Sequence, residues 1–404
     1  MSEELILPGI ALVILGYGYC SRLLDRYAIS GPMVFTAIGV LLSPLCCGNL
    51  SLHPSAQSIQ LIAQVALILI LFSDAASVSL SRFKGQWQLP VRLLFFAMSL
   101  SIVLSYLTAR YLFPNQPELY LLLLAFILAP TDAALGKIVV TDPHIPHRIR
   151  TTLTIESGLN DGIVFPLLLI TLALITGAHE TSYDSPVLYI ARQIFLGGLI
   201  GGLVGFLGAR LGDFAIDRDW MSTAYRNLIP FALAIFAYYL AEAFGGNGYI
   251  AAFFGGLTLG NASEVLRRST ENFSESEGEL LVMLSFLIFG MVFIPAVIDF
   301  WDGKTLIFAL LSLTILRMIP VVISFGTLKI DLLDRLFIGW FGPRGIASIL
   351  YILIAVGQLE NLRGHETIFA TASLTVVLSI FLHGLSARPL ARLYSKKLSP
   401  DSPK

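Results

Sequence analysis

The chain has 404 residues, of which 56% are hydrophobic and only 13% are charged. Soluble domains carry roughly 25% charged residues, so the composition excludes a soluble globular protein and predicts an all-α polytopic membrane protein. The net charge of −1 argues against nucleic acid as a partner. The cysteines Cys20, Cys46 and Cys47 have no metal-ligand spacing and imply no disulfide framework.

Apolar windows of about 20 residues predict thirteen membrane spans. They cover residues 5–24, 29–46, 58–78, 89–113, 118–140, 149–175, 189–211, 224–245, 249–261, 280–298, 304–328, 334–357 and 365–390. The first window follows an acidic Met-Ser-Glu-Glu start, so we expect a permanent span rather than a cleaved signal peptide. The loops are brief, and no regulatory domain is expected in the short stretch after Leu390.

Basic residues concentrate in alternate loops and thereby predict the orientation. They follow the odd-numbered spans and close the chain, as Arg22, Arg26, Arg82, Lys84, Arg148, Arg150, Arg210, Arg218, Arg226, Arg267, Arg268, Lys329, Arg335, Arg388, Arg392, Lys396, Lys397 and Lys404. The other loops hold only Lys304 and Arg363. The positive-inside rule then places the amino terminus outside and the carboxyl terminus in the cytoplasm. The expected location is a bacterial inner membrane.

Two spans carry signals for a broken helix. Pro130 removes a backbone donor and disfavours helix at Ala129, which predicts a break near 130–134 in span five. The run Gly342-Pro-Arg-Gly345 predicts a second break in span twelve. Interrupted helices occur in membranes where the freed backbone groups line a cavity.

The two breaks occupy matching positions if spans one to six and eight to thirteen are two repeats. The offset of seven spans is odd, so the repeats would have opposite membrane orientation. Such paired interruptions are typical of a transport site. The span at 189–211 would connect the repeats, and its many glycines are explained by close helix packing.

Span six holds Glu156, Asn160 and Asp161 within one apolar run. A carboxylate at the bilayer centre costs about 2.5–3.5 kcal/mol on insertion scales, so such groups usually mark a functional site. Helical spacing places Glu156 and Asn160 on one stripe, with Ser157 and Asp161 on the next. The alternative is a buried polar cluster that only holds helices together.

These motifs together resemble the monovalent cation–proton antiporter superfamily. They are Thr131-Asp132 at a break, Glu156-Ser157-x-x-Asn160-Asp161 on the next span, Gly-Pro-Arg344-Gly at the second break, and the thirteen-span plan. The Asn-Asp pair resembles the electroneutral, NhaP-like and sodium–proton exchanger branch, whereas the electrogenic branch has Asp-Asp. Ala133 departs from the pattern, because many relatives have proline there.

The resemblance implies a role for each motif residue. Asp161 would bind a cation and a proton in turn, and Asp132, Thr131, Ser157 and Asp74 would supply further oxygens. The supporting residues would be Asn160, which orients its neighbours, and Glu156, paired with Arg317 or shared with Arg344. An unpaired Glu or Arg at this depth would also be costly on physical grounds alone.

The function implied is a secondary active antiporter that exchanges Na⁺, with K⁺ and Li⁺ as alternatives, for H⁺ in pH homeostasis. Exchange would be one-for-one by alternating access, with no cofactor and no enzymatic activity. The resemblance also implies two crossed broken helices in a transport core (89–175 and 304–390). This core would move against a homodimeric scaffold (5–78 and 224–298).

Other functions are compatible with parts of the pattern. A sodium-coupled organic-solute carrier of similar architecture is the main alternative. A channel would need a selectivity filter, which nothing in the sequence resembles. An intramembrane aspartyl protease could pair Asp132 with Asp161, but it leaves the arginines without a role. His383 in the last span either responds to pH or packs.

Overall fold

The computed structural model describes residues 6–47, 56–80, 87–132, 135, 139–140, 142–177, 186–273, 278–328, 330–359 and 363–398, and all secondary structure in these ranges is helical. The first half contains α1 (Ile6–Arg26), α2 (Gly31–Leu41), α3 (Pro44–Cys47), α4 (Ala56–Ser77), α5 (Gln88–Leu112), α6 (Glu118–Ile127), α7 (His147–Thr176) and α8 (Pro186–Asp217). The second half contains α9 (Thr223–Ala243), α10 (Gly248–Ala262), α11 (Glu264–Phe273), α12 (Glu279–Phe300), α13 (Gly303–Ser324), α14 (Leu332–Trp340), α15 (Ile346–Gln358) and α16 (Glu366–Leu398).

The helices confirm an integral membrane protein. Seven helices of the described ranges are long and apolar enough to cross a bilayer, and four shorter apolar helices accompany them. Each predicted span has a helical counterpart, but the count of thirteen crossings and the inverted orientation of the repeats stay predictions. Some bounds were wrong: α2 is shorter than 29–46, and α16 continues past residue 390 to Leu398.

Helix starts follow local capping chemistry. Asn247 accepts hydrogen bonds from the backbone N–H groups of Tyr249 and Ile250 and so begins α10. Asp302 and Thr305 form a capping box at the start of α13. These caps satisfy backbone donors that would otherwise be left unpaired at the helix ends.

Small residues bring α8, α10 and α4 into backbone contact. A Cβ on Gly201 of α8 would clash with the backbone of Ala251 on α10, and one on Gly256 would clash with the backbone of Phe72 on α4. The packing interpretation of the glycines in 189–211 is therefore correct. The small residues of α10 contact α8 and α4 of the same chain. They therefore give no support for a dimer interface at this helix.

Both predicted breaks are present, and the two interrupted segments cross. Helix α6 ends at Ile127, and an extended segment joins α14 to α15 across residues 341–345. The backbone N–H of Asp132 donates to the carbonyl oxygen of Pro343 at 2.8 Å. Ala133 and Ala134 of the first predicted break lie outside the described residues.

Two local features differ from the sequence predictions. Helix α13 is interrupted at Thr314, where φ is −117° and ψ is −91°, inside the span predicted as continuous over 304–328. Arg267, counted above as a loop charge, is buried on α11 and bonded to Glu264 and Glu271. The i,i+3 and i,i+4 spacing of these charges was the available signal for α11.

Candidate functional site

Helix α7 carries the polar motif of span six into the protein interior. Glu156, Ser157, Asn160 and Asp161 are all buried, at 7% exposure or less. A buried polar side chain in a membrane protein needs a partner from a neighbouring segment, because hydrocarbon offers none. The partners come from the crossing segments and from α13.

At the crossing, an acid and an arginine cap opposite helix ends. The Asp132 carboxylate Oδ2 accepts a hydrogen bond from the backbone N–H of Ile346 at 2.9 Å, at the start of α15. The Arg344 guanidinium donates to the carbonyl oxygens of Ala129 and Pro130, just past the end of α6. The negative Asp132 lies at the positive amino-terminal end of the α15 dipole, and the positive Arg344 lies at the negative carboxy-terminal end of the α6 dipole. Each charge therefore stabilises the helix end that it faces.

The backbone at the crossing is packed too closely for side chains. A Cβ on Gly345 would clash with the Asp132 carboxylate, and one on Gly342 would come within 2.5 Å of the Arg317 Nε. The two glycines of the second break therefore provide the space in which the two charged groups lie. The backbone N–H of Arg344 donates to the Ser379 hydroxyl at 2.7 Å, which fixes the segment to α16.

Asn160 connects α7 to the first break. Its Nδ2 donates to the Thr131 hydroxyl at 2.8 Å and to the Thr131 carbonyl oxygen at 3.2 Å. An amide does not titrate near neutral pH, so Asn160 orients Thr131 without changing charge. The orienting role implied by the resemblance stays a prediction.

In the described part of the chain, the Asp161 carboxylate is one of several buried groups of the site that have an unpaired polar atom, together with Asn160, Arg317, Arg344 and His383. The Asp161 Oδ1 is buried and has no hydrogen-bond partner among the described residues, and the same holds for the Asn160 Oδ1. The Tyr351 hydroxyl reaches only the Asp161 backbone carbonyl, at 3.4 Å. Leaving a buried polar atom unpaired typically costs about 1–3 kcal/mol, so this arrangement calls for a functional explanation.

Glu156 pairs with Arg317 and not with Arg344. The Arg317 Nη2 lies 2.6 Å from the Glu156 Oε1 and 2.8 Å from its Oε2, and both side chains are buried. The structure thus decides between the two arginines that the sequence left open. Arg344 is instead committed to the carbonyl groups after α6.

Asp74 lies at the edge of the site. Its carbonyl oxygen would be 2.9 Å from a Cβ on Gly158, so α4 packs directly against α7 there. No group of three or more His, Cys, Asp or Glu side chains in the described ranges is arranged to hold a metal ion.

His383 is buried beside the second break. Its Nδ1 lies 3.2 Å from the Ser379 hydroxyl, and its ring packs against Trp340, with centroids 5.1 Å apart. The packing role left open by the sequence is therefore present. Ser379 and Tyr351 were missed as site residues, because nothing in their local sequence marks them.

The fold and site define a class of helical membrane protein in which two interrupted segments cross beside buried carboxylates, an arrangement typical of secondary transporters. Residues 10–393 match the family model described as "Sodium/hydrogen exchanger, transmembrane". The chain belongs to this family, and the predicted membership of the cation–proton antiporter superfamily, in its NhaP-like group, is confirmed.

Several characterised relatives align with most of the chain. The K⁺/H⁺ antiporter NhaP of Alkalimonas amylolytica is 27% identical over 372 residues, which cover 92% of this chain and 63% of that protein. The K⁺/H⁺ antiporter NhaP2 of Shewanella oneidensis is 25% identical over 384 residues, covering 94% and 65%. The chain thus spans less than two thirds of the length of these relatives.

A solved structure has the same fold. The sodium–proton antiporter MjNhaP1 of Methanocaldococcus jannaschii superposes with a TM-score of 0.76 over 97% of this chain and 99% of that one, at 19% sequence identity. The predicted fold class of an all-helical membrane protein is confirmed by this similarity.

Proposed function

We propose that the protein is a secondary active antiporter that exchanges a monovalent cation for a proton at Asp161. The observation that carries this proposal is the buried Oδ1 of Asp161, which has no hydrogen-bond partner among the described residues. A bare carboxylate at this depth is costly, whereas one that holds a cation or a proton is neutral. Alternate occupancy by the two ions is the simplest use of such a group.

The neighbouring oxygens support a site for a dehydrated cation. Thr131, Asp132 and Ser157 line one cavity, which extends along α7 toward Leu153. Hydroxyl, carbonyl and carboxylate oxygens are the ligands that hard cations prefer. We propose that these residues and Asp74 complete the cation shell around Asp161, with Asn160 holding Thr131 in place.

The charges at the site favour one-for-one exchange. If Asp161 is the only group that changes protonation, the site is neutral both with a cation bound and with a proton bound. Asn160 cannot take a second proton at physiological pH, and Glu156 is already neutralised by Arg317. We therefore propose that each cycle moves no net charge, and that the exchange serves pH homeostasis.

We propose Na⁺ as the transported cation, with K⁺ and Li⁺ as alternatives. The relatives named above are K⁺/H⁺ antiporters, whereas the similar structure and a 24% identical protein of Schizosaccharomyces pombe carry the name Na⁺/H⁺ or sodium–proton antiporter. Selectivity depends on cavity size and ligand number. It must be determined by transport assays across several salts.

The test is dissipation of an imposed pH gradient in proteoliposomes on addition of NaCl, KCl or LiCl, with no organic solute present. We expect at least one cation to move protons, and its apparent affinity to fall as the pH is lowered, because cation and proton compete for one carboxylate. An organic solute required for any ion movement would instead identify a solute carrier. No proton movement with any of the salts would contradict antiport.

We also propose that a transport core (89–175 and 304–390) moves against a scaffold (5–78 and 224–298), with 189–211 as connector. The backbone contacts of α10 with α8 and α4 support a rigid scaffold. The proposed location is a bacterial inner membrane, with the amino terminus outside as the positive-inside rule indicates.

The scaffold half is the proposed dimer surface. Helix α1 presents Leu12 and Tyr19, which are 72% and 87% exposed. We expect a homodimer by native mass measurement in lipid discs, since a moving core needs a fixed base. A monomer in both discs and mild detergent would exclude this assembly.

A further inference from the structure

An aromatic layer covers the site on the side of α7 that leads to Thr176. Phe165, four residues after Asp161, has its ring centroid 5.1 Å from that of Tyr249 and 5.2 Å from that of Tyr351. Tyr249 in turn contacts Tyr238, at 4.9 Å. Residues four apart lie on the same face of a helix, so the layer sits directly beyond the carboxylate of Asp161.

Phe253 adds a second contact, closer to Asp161. A Cβ on Gly162 of α7 would clash with the ring of Phe253 on α10, so the ring lies directly against the α7 backbone. Phe253 is only 6% exposed. Gly162 is next to Asp161 in the chain, so this contact with the α7 backbone lies within one helical turn of both Asp161 and Phe165.

The other side of the site is built differently. The cavity lined by Thr131, Asp132 and Ser157 also touches Leu153 and Phe341, and it lies on the His147 side of Asp161. A cavity thus lies beside Thr131, Asp132 and Ser157 on the His147 side. Packed aromatic rings lie on the Thr176 side, where a second cavity is lined by Pro166, Leu169 and Ile250.

The aromatic side chains that cover the site come from both the proposed transport core and the proposed scaffold. Phe165, Tyr351 and Gly162 belong to α7 and α15 of the core, whereas Phe253 and Tyr249 belong to α10 of the scaffold. A contact between two units that move relative to each other is made in one state and broken in the other. Apolar rings also exclude water and thus oppose passage of an ion.

We propose that Phe253, seated on Gly162 and backed by the Phe165–Tyr249–Tyr351 layer, is the seal that keeps Asp161 from connecting to both sides of the membrane at once. This inference rests on the proposed antiport function and assigns the seal to particular residues. Removal of the Phe253 ring leaves a passage beside Asp161 that ions cross without the core completing its cycle.

The test compares Phe253→Ala with wild type in proteoliposomes at clamped membrane potential. Cation uptake and proton release are measured in the same vesicles, with whichever of Na⁺, K⁺ or Li⁺ the wild type exchanges fastest. We expect the ratio of cations to protons moved to rise at least about twofold in the variant, because a leaking cation carries no proton back.

Phe254→Ala is the matched control. Phe254 is the next residue on α10, is 36% exposed, and packs over Gly198 of α8 rather than on α7. We expect this variant to keep the wild-type ratio. If both variants leak equally, general loosening of α10 explains the result and the assignment of the seal fails.

Gly162→Ala provides a second route to the same result. The added methyl group displaces the Phe253 ring, so this variant is also expected to leak, and it decides the question if Phe253→Ala does not fold. A folded variant with the wild-type ratio, or with no cation flux, overturns the proposal. Absence of exchange in the wild type would instead contradict the proposed function itself.

Discussion

Asp161→Asn is expected to reduce cation-driven proton movement to the level of vesicles without protein, while the variant still folds. Asparagine has nearly the shape of aspartate but binds neither a proton nor a cation by charge. Since the Asp161 Oδ1 makes no hydrogen bond with the described residues, no structural contact of that atom is lost. Removing a buried charge should leave thermal stability unchanged or higher.

The measurement is proton movement on addition of salt, together with the melting temperature of the purified variant. Asp299→Asn is the control, because Asp299 is exposed at the end of α12 and is expected to have no effect. Exchange by folded Asp161→Asn at a rate near that of wild type would exclude Asp161 as the ion-carrying group.

Asp132→Asn removes the negative charge of Asp132 but keeps its hydrogen bond to the start of α15. An asparagine oxygen can still accept the hydrogen bond from Ile346, so the cap at the start of α15 survives. The contribution of the negative charge to cation binding is lost, together with its interaction with the helix dipole of α15. Interactions with a charged group are worth about 1.5–3 kcal/mol, so the apparent cation affinity is expected to fall roughly ten- to hundredfold.

Removal of one partner of the Glu156–Arg317 pair has the largest expected effect on stability. Both side chains are buried, with Nη2 and Oε1 2.6 Å apart. Glu156→Ala or Arg317→Ala leaves an uncompensated charge in the membrane interior, which typically costs about 3–5 kcal/mol. We expect a lower yield of folded protein and a lower melting temperature for each single variant.

The double variant and an exposed pair serve as controls. Glu156→Ala combined with Arg317→Ala should destabilise less than the sum of the single changes, because no lone charge remains. Arg110 and Glu118 lie 3.3 Å apart with both side chains more than half exposed, so Glu118→Ala should change stability little. Near-wild-type melting of both single variants at the buried pair would show that it does not hold α13 against α7.

The amino-acid sequence determines the features that depend on nearby residues. Hydropathy over about 20 residues indicates the spans, Pro130 and the Gly342–Gly345 run predict the breaks, and acids inside an apolar run mark the site. Helix ends were less certain, since a cap or a packed neighbour shifts them by a turn. Helix α16 thus continues to Leu398. Helix α11 was overlooked for another reason: its ten residues include four charged ones, so a search for apolar windows does not select it.

The partners of each charge were decided only by the tertiary structure. Glu156 and Arg317 are 161 positions apart, and Arg344 lies 214 positions from the Pro130 carbonyl that it binds. Helical spacing shows which side chains share a face but not which distant segment reaches that face. Three features depend on how separate helices pack, because close packing is set by the shapes of all neighbouring side chains. They are the pairing of Glu156 with Arg317, the helix caps by Asp132 and Arg344, and the contact of Phe253 with Gly162.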